Sequence, residues 1–193
     1  HRILGRPDPG GIVMAAFGLY LVACGLLVLA GLAKAVRPGD TARAVVAVVQ
    51  RGQGLRRWER AVRLLAGVET ALGALGLAFP QRAVASAVAV SYLAFTCFVL
   101  VARAAGGSLA TCGCFGSPDT PPTLTHALVT LALAAASFAV ALAAPAGTVV
   151  SVLGSQSANG FPLVVTSAVA GLLVWAVLSP LARLSALRAV TPR

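Results

Sequence analysis

The strongest constraint on this chain is the recurrence of apolar stretches about as long as a bilayer is thick. Ile12–Ala33 carries no charge, and Ala61–Phe79 stops at Pro80 with Arg63 near its start and Glu69 inside. Ala83–Ala102 is uncharged, Leu124–Ala144 holds His126 near its beginning, and Phe161–Ala182 has Pro162 and Pro180 near its ends. Each stretch approaches the roughly 20 residues that a helix needs to cross a hydrocarbon layer of about 30 Å. Lipid offers the backbone no hydrogen-bond partners, so such segments must satisfy their own amides, and helices do so. Composition agrees: 59% of the residues are hydrophobic and 10% charged, against about 25% charged in a soluble domain. The expectation is all-α: a polytopic integral membrane bundle forming one membrane domain over 1–193. It would have a four-helix core and a fifth, C-terminal transmembrane helix over 161–182.

The net charge of +10 rests on arginine, because Lys34 is the chain's sole lysine. A basic chain invites a nucleic-acid reading. These arginines fall between apolar spans, however, so anionic lipid headgroups are the expected partner and nucleic acid is not. The chain begins without Met, which suggests processing or trimming. Ala30–Ala35 faintly resembles a signal-cleavage site, but the apolar run before it is too long for a signal peptide, so we expect a span there. In the stretch 34–60, Asp40 or Thr41 suits the cap of a short helix. Ala42, Val45, Val46 and Val49 then fall on one face, and Gly52 and Gly54 break the pattern. The pattern resumes over Leu55–Arg63 with Arg56, Arg57, Arg60 and Arg63, and Trp58 suits a headgroup-level anchor. We expect this stretch to lie on or dip into the interface rather than form a soluble domain.

Two of the four cysteines sit in Thr111-Cys112-Gly113-Cys114-Phe115-Gly116, a polar loop between spans three and four. Disulfide exchange needs a thiolate, an accessible sulfur and a nearby resolving thiol, and Cys112 with Cys114 supplies the pair. One intervening residue closes a smaller ring than Cys-x-x-Cys, which favours a strained and reducible bond. Gly113 can take the backbone angles that ring demands. Two other readings stay open: a disulfide that only pins the loop, and a metal site using Cys112, Cys114 and His126. The metal site lacks a fourth ligand and the usual zinc spacing, so no metal is expected. Cys24 and Cys97 read first as packing residues. The sharper alternative makes Cys97 a relay between the loop couple and an intramembrane acceptor such as a quinone. The sequence fixes no cofactor.

Helix parity places the end of span one, the start of span two, the end of span three and the start of span four on one side, here called the loop side. Lys34, Glu69, Cys97, Cys112, Cys114 and His126 all fall in that half, and Cys24 alone lies mid-span. An ionisable group within a span is costly, so Glu69 needs a partner or a function. Lys34 is the obvious partner. The first reading is a structural Lys34–Glu69 pair, and the second is a proton-handling Glu69. Glu69, Gly73 and Gly76 share a face where another helix can approach closely.

Gly31-Leu32-Ala33-Lys34 closing span one, Glu69 followed by Gly73 in span two, and Cys112-Gly113-Cys114-Phe115-Gly116 resemble the MauE family of membrane proteins. That family is related to the DoxX-like four-helix proteins. The similarity covers roughly residues 12–144, and the Cys-Gly-Cys-Phe-Gly string is its most specific element. The resemblance implies a redox membrane protein that acts with a thioredoxin-like partner in disulfide formation. The family's name refers to methylamine utilisation, although many relatives lie outside that pathway. His126 stands where the family leads us to expect an arginine-containing stretch.

The reading is therefore a thiol–disulfide redox protein of the cell membrane, with Cys112 and Cys114 as its reacting groups. Glu69, Lys34, His126 and Cys97 support them, and the partner is a thioredoxin-like protein or another membrane subunit. The rival is a non-catalytic scaffold or accessory subunit whose loop is a docking element, and whether the chain is an enzyme stays undecided. Orientation is in conflict. The stretch 34–63 and the C-terminal tail put eight and three basic residues on the loop side, against Arg2, Arg6 and Arg82 opposite, which argues for a cytoplasmic loop. Disulfides persist outside the cytoplasm, and we expect the loop there.

Overall fold

The computed structural model describes residues 9–49, 55–104, 124–143, 145, 147–154 and 160–178. The described residues form seven helices and no strand: α1 (Pro9–Val36), α2 (Pro38–Val49), α3 (Leu55–Ala78), α4 (Arg82–Ala104), α5 (Leu124–Ala143), α6 (Val149–Gly154) and α7 (Gly160–Leu178). Four of them, α1, α3, α4 and α5, are long and apolar enough to cross a membrane. The apolar part of α7, Gly160–Trp175, is shorter than these.

The core forms around α1, which packs against α3, α5 and α7, while α4 pairs chiefly with α5. Tyr20, Ala23, Cys24, Leu26 and Leu27 of α1 are buried against Val88 and Tyr92 of α4 and Leu133 and Val140 of α5. α1 and α3 run antiparallel in close register, from Tyr20 beside Gly76 to Lys34 beside Glu69. Two glycines allow this approach. A Cβ on Gly73 would stand 2.7 Å from the Cys24 carbonyl oxygen, and one on Gly31 would stand 2.7 Å from that of Ala66. Without a hydrophobic drive between helices in lipid, such close packing and interhelical hydrogen bonds hold the bundle. Tyr92 Oη donates to the Ala23 carbonyl at 2.7 Å, and Tyr20 Oη donates to that of Gly76 at 3.3 Å.

Pro80 ends α3 where the span was expected to end, and a short turn leads into α4. There Arg82 Nε donates to the Ala141 carbonyl at 3.3 Å, satisfying a last-turn acceptor of α5. α3 begins at Leu55, where the helical pattern was expected to resume, and runs unbroken into the span expected from Ala61. Hydropathy marks where lipid begins, whereas Leu, Arg, Trp and Glu continue a helix through the interface without a breaker. α1 ends just after Lys34, whereas α3 begins well before Glu69, so the first turns of α3 extend past α1. α2 packs along α3 with Ala42 fully buried and Val45 and Val46 half-buried, as its one-sided pattern required. Val49 completes that pattern in sequence.

Between span four and α7 lies the short α6, which ends at Gly154, where the Ser/Gly/Asn-rich connector read over 154–160 begins. Thr148 and Ser151 form a reciprocal box at its start: Ser151 N donates to Thr148 Oγ1 at 3.2 Å and Thr148 N donates to Ser151 Oγ at 3.0 Å. α7 then returns along α1, with Leu163 and Ser167 against Gly18.

Candidate functional site

The loop-side half of the bundle contains a sealed polar cluster to which all four long helices contribute. α1 supplies Lys34 from its last turn, and α3 supplies Glu69 on the face of Ala66, Gly73 and Gly76. Lys34 Nζ donates to Glu69 Oε2 at 2.6 Å, and the two side chains are 2% and 3% exposed. Burial this complete separates the pair from a surface salt bridge, which is worth little. Within lipid the choice is between a paired charge and an isolated one, and the isolated charge is strongly disfavoured.

α4 adds an aromatic wall. Lys34 Nζ lies 4.8 Å from the Phe95 ring centroid, a cation–π contact that covers a second side of the ammonium. Phe95 is itself held edge-on to Tyr92, with centroids 5.7 Å apart. One residue further, Thr96 Oγ1 bonds Thr130 Oγ1 of α5 at 2.8 Å, and both hydroxyls also reach carbonyls of their own helices. His126 is buried in the first turn of α5, one turn from Thr130. Glu69 Oε1 is buried and has no hydrogen-bond partner among the described residues. Chemically, the cluster offers one carboxylate acceptor and one ammonium held apart from solvent.

Lys34, Glu69 and His126 thus lie buried in the half-bundle where helix parity put them, and Lys34 and Glu69 touch. Cys97 departs from the packing role expected of it. It is exposed on the outer side of α4, because Tyr92, Thr96 and Val99 take the inward positions. Cys24 is fully buried beneath Gly76, as a packing cysteine should be. Cys112 and Cys114 lie outside the described residues, in the connection between α4 and α5. Among the described residues, no three or more His, Cys, Asp and Glu side chains cluster as metal ligands would. Sequence reasoning missed Tyr92, Phe95, Thr96 and Thr130. Thr96 and Thr130 each stand in a mainly apolar span near the same end, and that shared depth was the available signal.

Four bilayer-length apolar helices around a buried ion pair define a multi-pass helical membrane protein. Residues 12–147 match the family described as Methylamine utilisation protein MauE, and the chain belongs to that family. No curated protein and no solved structure matches it.

Proposed function

We propose that this protein is a membrane thiol–disulfide redox protein whose Cys112–Cys114 pair exchanges with a thioredoxin-like partner. In the exchange the partner's dithiol becomes a disulfide and Cys112–Cys114 becomes a dithiol, or the reverse. The observation that carries this reading is the Cys-Gly-Cys string inside the family-matched region. It stands between two spans whose inner faces carry the buried polar cluster. The family description adds a membrane accessory role in methylamine utilisation as the nearest physiological setting.

In this reading residues 1–193 form one membrane domain with a DoxX-like core over 12–144, and α7 belongs to a fifth transmembrane helix. The Cys-Gly-Cys loop faces the extracytoplasmic side, where a disulfide persists. Glu69, Lys34 and His126 support the loop, first by fixing the helix ends that bear it. Cys97 faces outward, where a lipid-soluble acceptor such as a quinone could meet it. Unchanged turnover in Cys97→Ser would end that relay role.

Replacing Cys112 and Cys114 together by Ser tests the proposal. Lost exchange with normal assembly of the partner supports the chemistry. Lost assembly supports a docking loop with no redox role.

A further inference from the structure

α3 presents two faces of different kind. One, with Ala66, Glu69, Gly73 and Gly76, is buried. On the other side stand Arg56, Arg60, Arg63, Gly67, Ala71 and Ala74, all exposed. At 3.6 residues per turn these six fall within about a quarter of the helix circumference. The three arginines take part in neither of the ion pairs found among the described residues. A Cβ on Gly67 would meet no atom within 4 Å, so the space beside it is open. Leu64, Val68 and Leu75, exposed at 74%, 62% and 50%, form a wall along one side of this strip.

The register against α1 sets the depth of each part. Gly31, in the second-last turn of α1, stands against Ala66 and Thr70, so Gly67 lies just inside the end of α1 while Ala71 and Ala74 run further into the span. Arg63, Arg60 and Arg56 continue outward over roughly 10 Å, about the depth of a headgroup zone.

We propose that this face of α3 binds an anionic phospholipid, with its phosphate on Arg56, Arg60 and Arg63 and an acyl chain along Gly67, Ala71 and Ala74. Charge decides the occupant. The small residues alone would equally suit a partner helix. Three unpaired guanidinium groups directly above them call for an anion at headgroup depth, and their forked donors match phosphate oxygens. This inference does not depend on the redox reading, since no cysteine takes part in it.

The test uses the full chain, delipidated in detergent and titrated with phosphatidylglycerol or phosphatidylcholine of identical acyl chains, with bound lipid counted by native mass spectrometry. The wild-type chain is expected to retain phosphatidylglycerol in preference to phosphatidylcholine, less so at high salt. The triple variant Arg56→Gln, Arg60→Gln, Arg63→Gln should bind phosphatidylglycerol on the order of a hundredfold more weakly. Arg103→Gln, at an exposed arginine on α4, should leave binding unchanged, and Gly67→Leu should weaken it by filling the open space beside that position. Circular dichroism checks that the variants keep their helices. Equal retention of the two lipids, or an equal loss in Arg103→Gln, would overturn the proposal. So would a Gly67→Leu variant that binds phosphatidylglycerol as strongly as the wild-type chain.

Discussion

Lys34 Nζ and Glu69 Oε2 meet at 2.6 Å across the α1–α3 interface, sealed from solvent, with Lys34 in the last turn of α1. Removing either partner strands the other's polar head in a sealed, apolar site. Lys34→Met or Glu69→Leu alone should lower stability by about 3–5 kcal/mol. The double variant should recover much of that loss. Denaturant unfolding of the four proteins in mixed micelles checks the cycle. Additive losses in the double variant would show that the pair is not coupled.

Gly73 faces the backbone of α1, with the Cys24 carbonyl oxygen and Val28 nitrogen 2.7 and 3.0 Å from where a Cβ would stand. Backbone cannot step aside as a side chain can. Gly73→Ala should therefore cost about 1–3 kcal/mol through overpacking. Gly67→Ala, on the open face of the same helix, should cost nothing and raise helix propensity slightly. Thermal unfolding of the two variants side by side reads the difference.

Tyr92 Oη donates to the Ala23 carbonyl at 2.7 Å, whereas Tyr20 Oη reaches Gly76 at 3.3 Å. Tyr92→Phe should destabilise the bundle by about 1 kcal/mol, and Tyr20→Phe by less. Equal effects from both variants, measured by the same unfolding assay, would contradict the ranking.

Cys24 is sealed and Cys97 exposed. In a chain carrying Cys112→Ser and Cys114→Ser, a membrane-permeant maleimide should modify Cys97 and leave Cys24 untouched until the bundle is unfolded. Peptide mass mapping distinguishes the two thiols.

The periodicity and length of the apolar runs revealed the four long helices, because bilayer thickness imposes a length that survives any sequence detail. The pairing of Lys34 with Glu69 was also legible, since few partners exist for a carboxylate inside a span. The resumption of helix at Leu55 was legible too, because Gly52 and Gly54 break the pattern before it and Arg56, Arg57 and Arg60 are ordinary helix formers. What hydropathy hid is that this stretch and span two are one helix, since arginine marks the edge of the lipid rather than the end of a helix. α6 escaped notice because six residues carry too little periodicity, and only the Thr148–Ser151 box marks its start. The inward placement of Phe95 and Thr96, and the outward placement of Cys97, depend on the rotation of α4. Alternating small and large apolar residues in a span do not fix that rotation, because both its core-facing and lipid-facing sides are apolar.

The redox account turns most directly on the state and side of Cys112 and Cys114. Intact cells would be labelled with a membrane-impermeant maleimide, with and without prior reduction, and both residues read by mass spectrometry. The account predicts no labelling before reduction and labelling of both thiols from outside after it. Thiols already reduced and reached only once the cytoplasmic face is opened would contradict it, and would leave the loop as a cytoplasmic docking element.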